Sequence, residues 1–177
     1  MISEFKRSML QGFDMTDLGS MRFFLGIEVM QRDNGIFICQ RRYALEILRR
    51  FGMVESNEVN SPIVPRFKAS KDKDGAPVDE SVFKQLVGSL IYLTAIRPDI
   101  MFATSLTSRY MAKPTDFHLQ AAKRILRYLK GTADYGIHYK RNKDSELEAY
   151  TDSDYACDMD DRKSTSGYAF LLSSGAI

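Results

Sequence analysis

Two cysteines, Cys39 and Cys157, are the only thiols in 177 residues, and they stand far apart with no Cys-x-x-Cys spacing. His118 and His138 lie at no recognised ligand spacing from them, so this set cannot build a zinc site by itself. Unlinked thiols of a reducing compartment are the expected reading. Long apolar runs are absent too. The richest stretch, Leu86 to Ile96, is interrupted by Gly88, Ser89, Tyr92 and Thr94, well short of the roughly 20 apolar residues of a membrane span. Glu4, Lys6 and Arg7 sit where a secretory signal needs its apolar core, and Glu4 and Asp14 are out of place in an organellar presequence. A soluble intracellular protein of cytoplasm or nucleus, without a membrane partner, is expected. An excess of one charge is also lacking: the net charge is +2, so bulk electrostatics point to no polyanion.

What is present is the composition of a globular chain, 44% hydrophobic and 27% charged, long enough for one domain or for a small one plus part of another. Ile2, Phe5, Met9 and Phe13 recur at helical spacing. Phe23 to Val29 reads as a strand, Asp33-Asn34-Gly35 as a tight turn and Ile36 to Cys39 as the return strand. A helix follows from about Arg42 to Phe51, stopped by Gly52. Pro62 and Pro65 force extended chain, and Lys68 to Pro77 reads as a surface loop or hinge. Val82, Phe83, Leu86, Val87, Leu90 and Ile91 share one helical face. Pro98 opens a second helix that must end before Pro114, and Thr115 caps a third running to Gly131. Beyond Gly136 the period changes to two, at Ile137 and Tyr139, at Leu147, Ala149 and Thr151, and at Tyr168, Phe170 and Leu172. These are expected to be strands of a separate sheet.

Charge is clustered rather than absent. From Lys113 to Lys143 there are eight bases, Lys113, Lys123, Arg124, Arg127, Lys130, Lys140, Arg141 and Lys143, against Asp116 and Asp134, a local net charge of +6. On a helical wheel Ala121, Ala122, Ile125, Leu126 and Leu129 form the buried stripe. Lys123, Arg127 and Lys130 form a basic one, with Arg124 beside it. Such a row can follow phosphates along a nucleic-acid backbone with salt-sensitive, sequence-independent affinity. A charge run alone, however, is more often a solvated helix face.

Asp152, Asp154, Asp158, Asp160 and Asp161 crowd one short stretch. A calcium loop starting at Asp152 would need a ligand at Ala156, glycine at Cys157 and glutamate at Lys163, and starting at Asp158 it would need a ligand at Arg162, so this pattern fails. The other pattern is a strand that ends in acid, Leu147-Glu148-Ala149-Tyr150-Thr151-Asp152. That suits a two-metal nuclease, provided further carboxylates arrive from other elements. By composition alone, aspartates of a polar loop remain the favoured reading.

In order and spacing, several motifs together resemble one family. Tyr150-Thr151-Asp152-Ser153-Asp154-Tyr155-Ala156 and Asp161-Arg162-Lys163-Ser164-Thr165-Ser166-Gly167-Tyr168 resemble the start of the ribonuclease H domain of copia-like retrotransposons. Phe24-Leu25-Gly26-Ile27-Glu28-Val29 resembles the strand after the family's polymerase active site. Leu86-Val87-Gly88-Ser89-Leu90-Ile91-Tyr92-Leu93, Arg97-Pro98-Asp99-Ile100 and the run Ala122 to Thr132 look like its connecting region. The resemblance covers essentially the whole chain.

It implies an α+β fold. Residues 1–66 would be the C-terminal part of a reverse transcriptase, its late hairpin and helices. Residues 67–77 would be a loop or hinge, 78–135 a helical connection and 136–177 the N-terminal part of a truncated ribonuclease H-like sheet. It also implies RNA-directed DNA synthesis and hybrid degradation in the parent polyprotein, both with Mg²⁺. The family's Tyr-x-Asp-Asp turn lies before the matched region, and no such turn occurs here, Asp160-Asp161 being preceded by Met159. Asp152 matches the first ribonuclease H carboxylate and so a shared catalytic metal ligand, while the remaining acids lie beyond Ile177 in the family. Asp154 belongs to the motif but is assigned no metal. The chain is therefore expected to be a relic, a gene-model fragment or a truncated piece. Its partners would be RNA–DNA hybrid or template–primer, met through Lys123, Arg124, Arg127 and Lys130, and the rest of the polyprotein. It would bind no metal tightly and have no complete catalytic site. The alternative is a co-opted or vestigial protein-interaction module.

Overall fold

A computed structural model describes residues 2–64, 70–72, 74–141, 146–172 and 175–177. The expected extended residue Pro65, the first part of the 67–77 loop and Lys143 lie outside them.

The amphipathic opening is helical, α1 over Ile2–Gly12, and buries none of its residues. The stretch read as one strand from Phe23 to Val29 is two, β1 at Phe23–Phe24 and β2 at Ile27–Arg32. Leu25 and Gly26 both adopt positive φ, 46° and 76°, as a two-residue primed hairpin turn requires. The pairing Phe24↔Ile27 closes that turn. The Tyr92 hydroxyl donates to the Leu25 carbonyl, and a Cβ on Gly26 would stand 2.8 Å from the Tyr92 oxygen, so both φ and space demand glycine there. After the expected turn at Asp33-Asn34, β3 runs Gly35–Cys39 against β2.

Helix α2 (Arg41–Arg50) is stopped where Gly52 takes a φ of 65°. Helix α3 (Glu80–Leu93) is capped by the Asp79 carboxylate, which accepts from the amides of Ser81 and Val82. The helix expected from Pro98 to near Pro114 is shorter: a 3₁₀ turn at Pro98–Ile100 leads into α4 (Met101–Ser108), and turns complete the path. Helix α5 (Asp116–Gly131) ends where glycine was expected to end it. The core lies among these helices, with Ile47, Phe83, Leu86, Leu90, Ile100, Ile125, Leu126 and Leu129 essentially sealed from solvent. Burying each large aliphatic side chain stabilises by about 1.5–3 kcal/mol.

Two polar residues hold this block together. The His118 side chain reaches back so that Nδ1 accepts the Thr115 amide at 3.0 Å. Nδ1 being the acceptor, Nε2 carries the hydrogen and donates to the Ser70 carbonyl at 2.8 Å. Thr115 Oγ1 donates to Asp72, and the Tyr110 ring stacks on the imidazole. The described part of the expected hinge is thus strapped to the start of α5. Arg97 is only 2% exposed. Its Nε and Nη2 donate to both oxygens of Asp99, and Nη1 and Nη2 donate to the carbonyl and hydroxyl of Thr132, just past α5. Burial alone would raise the Asp99 carboxyl. The Arg97 hydrogen bonds and charge, with the Tyr128 hydroxyl, outweigh it and hold that carboxyl below its ordinary value.

Strand β4 (Gly136–Lys140) corrects the expectation that everything beyond Gly136 forms a separate sheet. It pairs antiparallel with β3, from Gly35↔Lys140 to Cys39↔Gly136, and completes a four-stranded sheet in the order β1-β2-β3-β4. Gly136 permits the close pairing, because a Cβ built there would collide with the Ile38 carbonyl and the Cys39 and Phe37 side chains of the distant β3. The second sheet is β5 (Leu147–Ser153), β6 (Ser166–Leu172) and β7 (Gly175–Ala176), antiparallel in that order. The two sheets touch where the Tyr139 hydroxyl donates to the Ala176 carbonyl at 2.6 Å. The whole is a mixed α+β fold. No helix among the described residues is long and apolar enough to cross a membrane.

Candidate nucleic-acid interface

Helix α5 turns Ala122, Ile125, Leu126 and Leu129 into the core. Lys123, Arg124, Arg127 and Lys130 are consequently left at its margin, all four half-buried rather than fully solvated. The stripe is not uniform. Arg127 Nε donates to the Asn57 carbonyl at 2.6 Å, and Lys130 Nζ to the Ser56 carbonyl at 2.8 Å. Both bonds pin the segment after α2 onto α5. Lys123 has no hydrogen-bond or ion-pair partner among the described residues. Arg124 Nε is sealed from solvent and likewise unpartnered there.

Ion pairs among the described residues engage Lys6, Arg41, Arg42, Arg50, Lys84, Arg97, Arg109 and Lys163, and none engages an α5 cation. Among the described residues, therefore, no carboxylate at contact distance neutralises the positive charge of α5. Beside it lies a cleft of about 260 Å³ between α4, α5 and residues Pro62–Val64, with Arg124 and Arg127 in its wall.

The carboxylates are arranged differently. Asp152 lies within β5, opposite Gly167 of β6, and its side chain is exposed on the same strand face as Glu148 and Tyr150. Its only bond among the described residues is local, Oδ1 accepting from the Ser153 amide. Asp154 clips the β5–β6 loop by accepting the Thr165 amide at 3.0 Å. Asp158 accepts the amides of Asp160 and Asp161, and these bonds, with the Arg109 charge, hold its carboxyl below the ordinary range. Arg109 reaches across from the end of α4 to Asp158 Oδ2 at 3.1 Å and to the Thr165 hydroxyl at 2.8 Å. Asp160 accepts the Lys71 amide at 2.9 Å.

The aspartates are thus mostly the bracing of a loop docked on the helical block. Among the described residues no three histidine, cysteine, aspartate or glutamate side chains converge as metal ligands. A pair of Mg²⁺ ions requires oxygens from several converging elements, and the described residues do not fit one. The roles of Arg109 and of the Arg97–Asp99 pair escaped the sequence reading. For Arg97, the only local hint was an acid two residues on, across Pro98. For Arg109 no local signal exists, since its partners lie 49 and 56 positions away.

The family model for reverse transcriptase (RNA-dependent DNA polymerase) matches residues 1–65. The chain is 42% identical over 162 residues, 92% of its length, to the retrovirus-related Pol polyprotein from transposon RE1 of Arabidopsis thaliana, of which it spans 11%. It is 35% identical over its full length to the retrovirus-related Pol polyprotein from transposon TNT 1-94 of Nicotiana tabacum, spanning 14% of that protein. An uncharacterized mitochondrial protein of Arabidopsis thaliana is 36% identical over 93% of the chain and is itself 68% covered. No solved structure matches. On the reverse-transcriptase match and the transposon relatives together, the chain belongs to the copia-like retrotransposon reverse transcriptases.

Proposed function

We propose that this chain is the part of a copia-like reverse transcriptase that grips the template–primer or RNA–DNA hybrid. In this reading residues 1–66 supply the late polymerase hairpin and helices, 78–135 a helical connection carrying the grip, and the second sheet the opening strands of a ribonuclease H. The observation that carries the reading is the un-neutralised positive charge along α5. Among the described residues, Lys123 and the guanidinium of Arg124 have no partner. Arg127 and Lys130 each keep N–H groups beyond the one spent on residues 56–57. The rest of a Pol polyprotein would be the partner that supplies the chemistry.

Changing Lys123, Arg127 and Lys130 together to alanine is expected to weaken hybrid binding similarly for unrelated sequences. The slope of log affinity against log salt should flatten by up to about 2–3 units, somewhat under one per lost phosphate contact. Because Arg127 and Lys130 also hold the 56–57 segment, circular dichroism must show the variant folded. With the fold intact, an unchanged slope would make the stripe a plain solvated face and return the chain to a protein-contact role.

The pure chain is also expected to show no template-dependent nucleotide incorporation with Mg²⁺ or Mn²⁺, because it contains no Tyr-x-Asp-Asp carboxylate pair to hold the metals of phosphoryl transfer. Incorporation that a substitution within the chain abolishes would overturn this.

A further inference from the structure

The cleft beside α5 has features that a row of phosphate contacts does not explain. Its wall is largely apolar, with Ile63, Leu106, Phe117 and Ile125 among the contributors. Into this wall is set a charged residue, Arg124, whose Nε is sealed from solvent and has no acceptor among the described residues. A buried N–H without an acceptor is costly, so a turn of the side chain that brings the guanidinium to an acceptor seated in the cleft is favoured. A backbone phosphate is a poor candidate, because moving its full negative charge from water into a largely apolar slot is strongly unfavourable. A nucleobase suits the slot better. Its faces are flat and stack on apolar and aromatic surface, and its edge carries ring nitrogens and carbonyl oxygens that accept hydrogen bonds. A volume of about 260 Å³ has room for one planar ring system, not for a base pair within a duplex.

We propose that this cleft receives a single unstacked base from a single-stranded stretch of nucleic acid. The Arg124 side chain turns so that its guanidinium donates to the base edge, and Lys123 with the remaining N–H groups of Arg127 holds the flanking phosphates. The proposal rests on the reading of α5 as a nucleic-acid surface and adds to it a preference for strand ends or overhangs over closed duplex.

The test measures anisotropy at fixed salt with three probes: a blunt RNA–DNA hybrid, the hybrid with a short single-stranded overhang, and the same overhang made of abasic nucleotides. The normal overhang should bind the full chain about tenfold more tightly than the abasic one, the scale of one stacked base. Ala121→Leu, which puts a larger side chain into the cleft wall, should bring that ratio close to one. Equal binding of the two overhangs, with salt-sensitive binding of the blunt hybrid retained, would overturn the base site while leaving the α5 grip standing. A tenfold ratio that survives Ala121→Leu in a folded protein would place base recognition elsewhere and also overturn it. Absence of binding to all three probes would remove both readings. The comparison on the unaltered chain needs no variant and so decides even if Ala121→Leu unfolds.

Discussion

Replacing Arg97 with alanine is expected to lower the unfolding free energy by about 2–3 kcal/mol, the scale of losing hydrogen bonds to a charged group and leaving a buried acceptor unpaired. The guanidinium is 2% exposed and makes bonds to two parts of the fold, Asp99 at the corner between α3 and α4 and Thr132 at the end of α5. Its removal leaves the Asp99 carboxylate without its partner and the buried Thr132 carbonyl without its donor. It also takes a cation from the negative end of the α5 dipole. Against a total stability that is commonly about 5–15 kcal/mol, such a loss puts the fold near its limit.

The pair also has a pH signature. The folded Asp99 carboxyl lies below its ordinary value of 3.8, so the contribution is fully present above that value. It is lost as pH falls below 3.8 towards the folded value. Urea midpoints measured down through this window should fall for the native chain and fall less for Asp99→Asn. A cost below about 1 kcal/mol for Arg97→Ala would show the pair to be energetically idle, as exposed pairs are.

Hybrid cleavage is expected to be absent from the chain alone, to appear when the segment that follows this region in a full Pol polyprotein is fused in frame, and to vanish again with Asp152→Asn. Asp152 stands exposed on β5, and its neighbours are spent elsewhere: Asp154 on the Thr165 amide, Asp158 on two amides and Arg109, Asp160 on the Lys71 amide. Only acids from other elements can complete a site around it. Asparagine preserves the size of the side chain and its bond from the Ser153 amide while removing the charge. The expected effect is therefore on cleavage and not on folding. A fusion that cuts equally well with asparagine at 152 would show the wrong aspartate to have been chosen, and Asp154 would then be the next to replace. Cleavage by the chain alone would mean that its own carboxylates suffice.

Local pattern carried much of this architecture. The two-residue turn at Asp33-Asn34, the stop at Gly52, the Thr115 start and the Gly131 end of α5 are all written in neighbouring residues, and each stands where the sequence puts it. What was hidden depends on distant partners. Phe23 to Val29 reads as one apolar strand because the turn at Leu25–Gly26 is fixed by Tyr92, far along the chain. Strand β4 carries the same period-two pattern as β5 and β6, and nothing in that pattern says that its partner is β3. His118 is an uncommon residue for closing a helix cap, and its second bond goes to Ser70.

The basic stripe was legible as a row of charges. Its division into two cations that clamp residues 56–57 and two without a partner among the described residues was not, because the clamped carbonyls are 70 and 74 positions away. For the aspartates, sequence gave their number, while the structure shows what occupies most of them: backbone amides and Arg109.

The most direct test of the account is the affinity of the unaltered chain for a blunt RNA–DNA hybrid, followed across a salt series. Three to four phosphate contacts by the α5 cations predict a straight line of log affinity against log salt with a slope of about −2 to −4. The value should be the same for hybrids of unrelated sequence. A slope near zero, or no binding at low salt by a folded chain, would contradict it.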